Sequence, residues 1–243
     1  MRNTVNITGI PVDKITMNEA LEKLKSFLLE DKVHAIYTPN AEIMMNAHKN
    51  SELKEILSEG DMVIADGAGV VLASHITKNK VPEKVSGIDL LRNSFSLPMD
   101  RKIRYFFFGS KPGVTEEAAE NILEKFPGVE IAGCRNGFFS EEDEPEIIRH
   151  INSANADMLL VALGSPKQEI WIHKHKDLLN CKVCIGVGGS LDVFAGRIKA
   201  APEFFRRNGL EWLYRLYTEP KRFKRMLKLP QYVFLAISYR YKK

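Results

Sequence analysis

Cysteine is scarce: Cys134, Cys181 and Cys184 are the only three in 243 residues, an odd number that leaves no disulfide framework and suits a reducing compartment. Long apolar runs are absent too. A membrane-spanning helix needs roughly 18 apolar residues, whereas pure runs here, such as Met158 to Leu163, are strand-sized. The opening MRNTVNITGI carries charge but no apolar stretch followed by a small-residue cleavage site, so a secretory leader is not expected and the cytoplasm is the expected compartment. No Asp-x-Asp pair stands at a strand end, and Glu141-Glu142-Asp143-Glu144 reads as an exposed first helical turn, so no metal clamp is expected. Cys181 and Cys184 form a CxxC, but residues 182–187 read as a buried strand, where positions three apart point to opposite faces. With no second CxxC and no paired histidine, neither metal nor redox use is expected. His173 and His175 stand two apart on an expected helix and read as surface residues. A dinucleotide fingerprint is also missing, because Gly186-Val-Gly188-Gly-Ser-Leu191 comes late in the chain and has leucine at its third position. No cofactor is expected.

What is present divides unevenly. The chain has a net charge of +4, but Arg206 to Lys243 holds eleven Lys/Arg against two Glu, so this segment's +9 leaves −5 for the other 205 residues. The same segment carries eight of the 22 aromatics, among them Trp212, Tyr214, Tyr217, Phe223 and Tyr232. The composition shift predicts an α/β body over 1–200 and a basic, aromatic helical appendage over 201–243. The appendage suits an anionic membrane surface, or equally a helix pair docked on the body with solvated lysines. Its apolar residues come in runs fit for burial rather than singly between basic residues, so nucleic acid is not expected as a partner. Homo-oligomerisation stays open.

In the body, short apolar runs at 33–38, 62–65, 103–108, 158–163 and 183–187 alternate with helical patterns. Thr16 with Glu19 and Ser140 with Asp143 resemble capping boxes, and Pro112 and Pro166 stand where a first helical turn tolerates proline. The alternation predicts a doubly wound, mostly parallel, Rossmann-like sheet. Ligands bind such sheets beyond the carboxyl ends of the strands, where this chain places Thr38-Pro39-Asn40, Asp66-Gly67, Gly109-Ser110, Gly164-Ser165-Pro166 and Gly186-Val-Gly188-Gly189. The glycine loops suit an anion approached by backbone N–H groups; they equally suit tight strand-to-helix turns. Asp66 is eligible as a general base or as the N-cap of the next helix, and Asp192 carries the same ambiguity. Arg222 and Arg225 share one face of a short helix expected after Pro220, and with Arg215 they could meet around phosphates.

Taken together, TPNAEI at 38–43, Asp66-Gly67, LGSPKQE at 163–169, GVGGSLDVFAG at 186–196 and EWLYRL with EPKRFKRM between 211 and 226 resemble the WecG/TagA/CpsF glycosyltransferase family, in particular its TagA branch. The resemblance runs from the first expected strand into the tail. It implies an inverting, metal-independent transfer of N-acetylmannosamine from UDP to the 4-hydroxyl of N-acetylglucosamine on undecaprenyl diphosphate, at the inner face of a bacterial plasma membrane. It also implies roles: Asp66 as catalytic base; Thr38, Asn40, Lys84, Gln168, Arg215, Arg222 and Arg225 toward substrate; and Gly164, Gly188, Gly189 and Asp192 toward the nucleotide. Lys84 stands where relatives often carry arginine, which keeps the charge but loses the bidentate fork. A donor carrying a uronate or glucose, and a non-catalytic nucleotide-sugar binding module, are the rival readings.

Overall fold

The computed structural model describes residues 2–220 and 223–241; the side chains of Arg207 and Lys224 lie outside that description. Its strands are β1 (Thr4–Ile7), β2 (Ile10–Asp13), β3 (His34–Tyr37), β4 (Met62–Val63), β5 (Arg104–Gly109), β6 (Glu130–Arg135), β7 (Met158–Ala162) and β8 (Val183–Gly186). Its helices are α1 (Met17–Leu29), α2 (Ala41–Lys49), α3 (Ser51–Glu59), α4 (Ala68–Ile76), α5 (Gly87–Ser94), α6 (Val114–Lys125), α7 (Glu144–Ser153), α8 (Lys167–His175), α9 (Ser190–Phe194), α10 (Glu203–Arg207), α11 (Glu211–Thr218), α12 (Phe223–Met226) and α13 (Lys228–Tyr241). The chain divides into a unit of residues 1–17, 38–86 and 200–243 and a unit of residues 18–37 and 87–199.

The second unit carries the parallel sheet, in the order β3-β8-β7-β5-β6. Every residue of β3, β7 and β8 is buried, which is why these strands read as unbroken apolar runs. β6 was not visible in that way: Glu130–Arg135 is half-exposed, with charged residues at both ends and a glycine within, as suits a sheet edge. From β5 the chain crosses outward through α6 to β6, then returns through α7 to β7 on the other side of β5. The loops leaving β5 and β7 therefore diverge, and a crevice opens at their carboxyl ends. The expected α/β, Rossmann-like architecture is present.

In the first unit, β1 and β2 form an antiparallel hairpin pairing Ile7 with Ile10. Its two-residue turn has positive φ at both Thr8 (53°) and Gly9 (94°), the backbone twist that tight hairpins favour. The Asp13 carboxylate ends β2 by accepting the Val63 N–H at 2.7 Å and pairing with Arg2 at 2.5 Å. The tail supplies the rest of this unit. Helix α13 packs on α2 and α4, with Tyr232 and Ala236 fully buried and the Tyr232 hydroxyl 3.3 Å from Thr8 Oγ1. The approach is close enough that a Cβ on Gly69 would lie 2.5 Å from Leu229 and 2.9 Å from Ala41, so only glycine fits there. The compositional break near residue 200 thus coincides with a change of unit. The segment beyond it shares its core with residues 1–17 and 38–86.

Three local expectations are corrected. Cys181 precedes β8 rather than lying in it, so strand alternation does not govern the pair, and the two Sγ atoms are 3.4 Å apart. Both thiols are buried, and contact with Cys181 together with burial pushes the Cys184 thiol up, so Cys184 is not poised as a thiolate nucleophile. His175 is buried rather than on the surface, with Nε2 3.2 Å from the Glu144 carboxylate. Ser140 and Asp143 do form their reciprocal cap, but it opens a single 3-10 turn that runs into α7.

Candidate functional site

In the second unit the β5–β7 crevice widens into a cavity of about 640 Å³, within the range of small-molecule sites. Ser110 and Lys111 after β5, Leu163, Gly164 and Lys167 around the start of α8, Gly188 and Gly189 after β8, and Asp192 on α9 all line it. Phe138, Phe139 and Trp171 form an aromatic wall, with Glu144 and Lys174 beside them. The four positions expected to face a nucleotide, Gly164, Gly188, Gly189 and Asp192, are therefore brought together. Asp192 does not cap α9, since Gly189 holds the cap position; its carboxylate instead accepts the Ser110 hydroxyl at 3.2 Å. The helix-cap alternative for Asp192 falls.

Gln168 lies behind the glycine loop and is buried. Its Oε1 accepts the Gly188 N–H at 3.0 Å, and its Nε2 donates to the Glu169 carboxyl at 2.9 Å. The amide thus ties the first turn of α8 to the loop after β8.

In the first unit, backbone hydrogen bonds stitch three loops into one group. Asp66 N–H donates to the Pro39 carbonyl at 3.3 Å, between Thr38 and Asn40, and Val85 N–H, next to Lys84, donates to the Ala65 carbonyl at 3.2 Å. Thr38, Asn40, Asp66 and Lys84 are all half-buried in this group. Asn40 also has a structural duty as N-cap of α2, its Oδ1 accepting the N–H groups of Glu42 at 3.0 Å and Ile43 at 3.1 Å. The N-cap position of α4 is held not by Asp66 but by Gly67, one residue on. The helix-cap alternative for Asp66 falls as well.

The tail reaches the same group. Lys84 pairs with Glu211 at the start of α11 and also donates to the Arg206 carbonyl at 3.3 Å. Arg215 follows one turn later on α11 and is half-buried. Arg225 on α12 donates through Nε to both carboxylate oxygens of Glu42, at 3.0 and 2.9 Å, and Lys228 reaches the same carboxylate at 3.2 Å. Arg222 lies outside the described residues. Glu42, which holds the tail cations Arg225 and Lys228, and Glu211, the tail acid that holds Lys84, were not singled out from sequence. Their signal was present in the quoted TPNAEI and EWLYRL segments, but a lone glutamate in a helix reads as a solvated face.

The tail also leaves apolar side chains in the open: Trp212, Leu213, Tyr217, Phe223, Leu227, Phe234, Ile237 and Tyr241 are all exposed. Among the described residues, no helix is long and apolar enough to cross a membrane, and no group of three His, Cys, Asp or Glu side chains gathers as metal ligands.

Known proteins resemble the chain over most of its length. The model of the glycosyl transferase WecG/TagA/CpsF family matches residues 5–243. A protein of Bacillus spizizenii named N-acetylglucosaminyldiphosphoundecaprenol N-acetyl-beta-D-mannosaminyltransferase is 39% identical over 214 residues, covering 88% of this chain and 82% of the relative. Proteins of the same name from Bacillus subtilis and Staphylococcus aureus are 34% and 32% identical, covering 97% and 95% of this chain and 91% of each relative.

Proposed function

The chain belongs to the glycosyl transferase WecG/TagA/CpsF family, and on that premise we propose that it transfers N-acetylmannosamine from UDP to the 4-hydroxyl of N-acetylglucosamine on undecaprenyl diphosphate. In this reading the glycine-loop amides face the nucleotide's phosphates and Asp192 its ribose hydroxyls. Asp66 accepts the proton of the acceptor hydroxyl as that oxygen bonds to the anomeric carbon, the bond from that carbon to the β-phosphate oxygen breaks, and UDP leaves with its electron pair. Attack opposite the leaving group inverts the anomeric centre. Arg215, Arg222, Arg225 and Lys84 stabilise the departing charge, a task other transferases give to a metal ion.

The observation that carries this reading is the placement of Asp66: a half-buried residue at a strand end, tied by its backbone to the Thr38–Asn40 loop and one residue before the Gly67 cap of α4. General-base catalysis is worth about 10² to 10⁴ in rate, so Asp66→Asn should lower turnover by at least about 100-fold while UDP still binds. Near-normal turnover would remove Asp66 from the chemistry. A screen of UDP-N-acetylmannosamine, its uronate and UDP-glucose against the lipid-linked acceptor, followed by UDP release, assigns the donor. Release with none of them would favour a binding module.

The exposed apolar side chains of the tail, set among its basic residues, support peripheral attachment to the anionic inner face of the plasma membrane. Each Lys/Arg near such a surface contributes roughly 1 kcal/mol, and salt screens it. Phe234→Ser should therefore weaken binding to anionic vesicles without lowering the melting temperature, because that ring is 70% exposed. Unchanged vesicle binding in Phe234→Ser combined with Phe223→Ser would leave the tail a packing element only.

A further inference from the structure

Glu169 is a carboxyl in an unusual position: 2% exposed, third residue in the first turn of α8, behind the loop that follows β8. Among the described residues no cation pairs with it. Its Oε1 accepts a hydrogen bond from Gln168 Nε2 at 2.9 Å, and its Oε2 is buried. Burial pushes the group above the usual carboxylate range, against the smaller opposing effects of Gln168, its own backbone N–H and Ser165. Oε1 is the acceptor that the Gln168 amide meets.

That acceptor settles which way the Gln168 amide faces. An amide has a donor end and an acceptor end of nearly equal shape, so its neighbours decide its orientation. With the donor end held by Glu169, the acceptor end meets the Gly188 N–H at 3.0 Å. The amide also lies flat against the sheet end, where a Cβ on Gly186 would be 2.6 Å from Gln168 Nε2 and 3.0 Å from its Cδ. The side chain has no room to turn and find another arrangement.

We infer that Glu169 is a positioning residue: acting as a hydrogen-bond acceptor on Gln168, it fixes the backbone of Gly188 and so the shape of the glycine loop that lines the cavity. This deepens the reading of that cavity as a nucleotide site and rests on it only where the ligand is concerned. It predicts that an acceptor, not a charge, is what position 169 must supply.

The test compares Glu169→Gln, which keeps an acceptor of the same shape, with Glu169→Leu, which removes it. Amide hydrogen exchange of residues 186–189 is followed in the ligand-free protein, alongside UDP binding by calorimetry. Glu169→Leu should speed exchange of that loop and weaken UDP by roughly tenfold, the effect of losing about one buried hydrogen bond. Glu169→Gln should leave both near the parent values. Unchanged exchange in Glu169→Leu, or equal damage in the two variants, would overturn the assignment. If Glu169→Leu fails to fold, Glu169→Gln decides alone, because an isostere that opens the loop shows that charge was required. If the parent does not bind UDP, the nucleotide reading fails while loop exchange still reports on Glu169.

Discussion

The two units hold their functional side chains by opposite means. In the second, the cavity is framed by loops that leave neighbouring strands of one sheet, and its supports are buried: Gln168 is 3% exposed and Glu169 2%. In the first, the residues around Asp66 come from segments as far apart in the chain as Thr38 and Lys228, and the polar links among them are half-exposed ion pairs such as Lys84–Glu211 and Arg225–Glu42. Exposed pairs contribute little, about 0 to 1 kcal/mol each, so the first unit must depend on apolar packing of the tail helix. The lesson is that polar contacts set geometry around both groups of functional side chains, but those at the cavity, through Gln168, are the more deeply buried and so the costlier to break.

The largest expected effect tests the packing half of that contrast. Tyr232 is fully buried between the tail helix and the hairpin turn at Thr8, and Tyr232→Ala should cost about 3 to 5 kcal/mol in chemical denaturation. A loss below about 1 kcal/mol would mean that the ion pairs, not the packing, hold the tail. Next comes Gly186→Ala, whose new methyl must displace the Gln168 amide; overpacking of this kind costs about 1 to 3 kcal/mol, and a lowered melting temperature with weakened UDP binding should result.

A smaller effect concerns pH. The Glu169 carboxyl is raised in the folded state by burial, so folding binds a proton that the unfolded chain releases above its ordinary value of 4.5. The contribution is fully present below that value and is lost as pH rises through the folded value. Glu169→Gln should therefore show a flatter decline in stability above pH 4.5 than the parent; parallel curves would show that the group is ionised in the fold. Smallest of all, Glu42→Gln should cost no more than about 1 kcal/mol, since Arg225 is half in solvent. A cost above that of Gly186→Ala would break the comparison outright.

Legibility in the sequence followed the same divide. Five strands were visible as apolar runs because strands buried on both faces need no polar residues, whereas the edge strand β6 and the short hairpin offered no such run. The glycine loops and Asp192 were found because strand-end loops carry their own local signal, and they do line one cavity. Asp66 was legible as a strand-end carboxylate but could not be separated from a helix cap until the structure put the cap at Gly67. His175 and the Cys181–Cys184 pair were misread because periodicity rules apply only inside an element, and both depend on where an element begins or on what packs over it.

By itself, then, the sequence determined the α/β class, the strand-end placement of the polar and glycine-rich loops, and the basic, aromatic character of the tail. Each of these is a matter of local pattern or simple charge arithmetic. Only the tertiary structure decided that the tail shares a core with the hairpin and with α2 and α4, that Glu42 holds tail cations while the tail's Glu211 holds Lys84, and that a buried Glu169 stands behind the Gln168 amide. The physical reason is that these features join residues far apart in the chain or set a charge against a desolvated environment, and neither distance nor burial is written in the order of the residues.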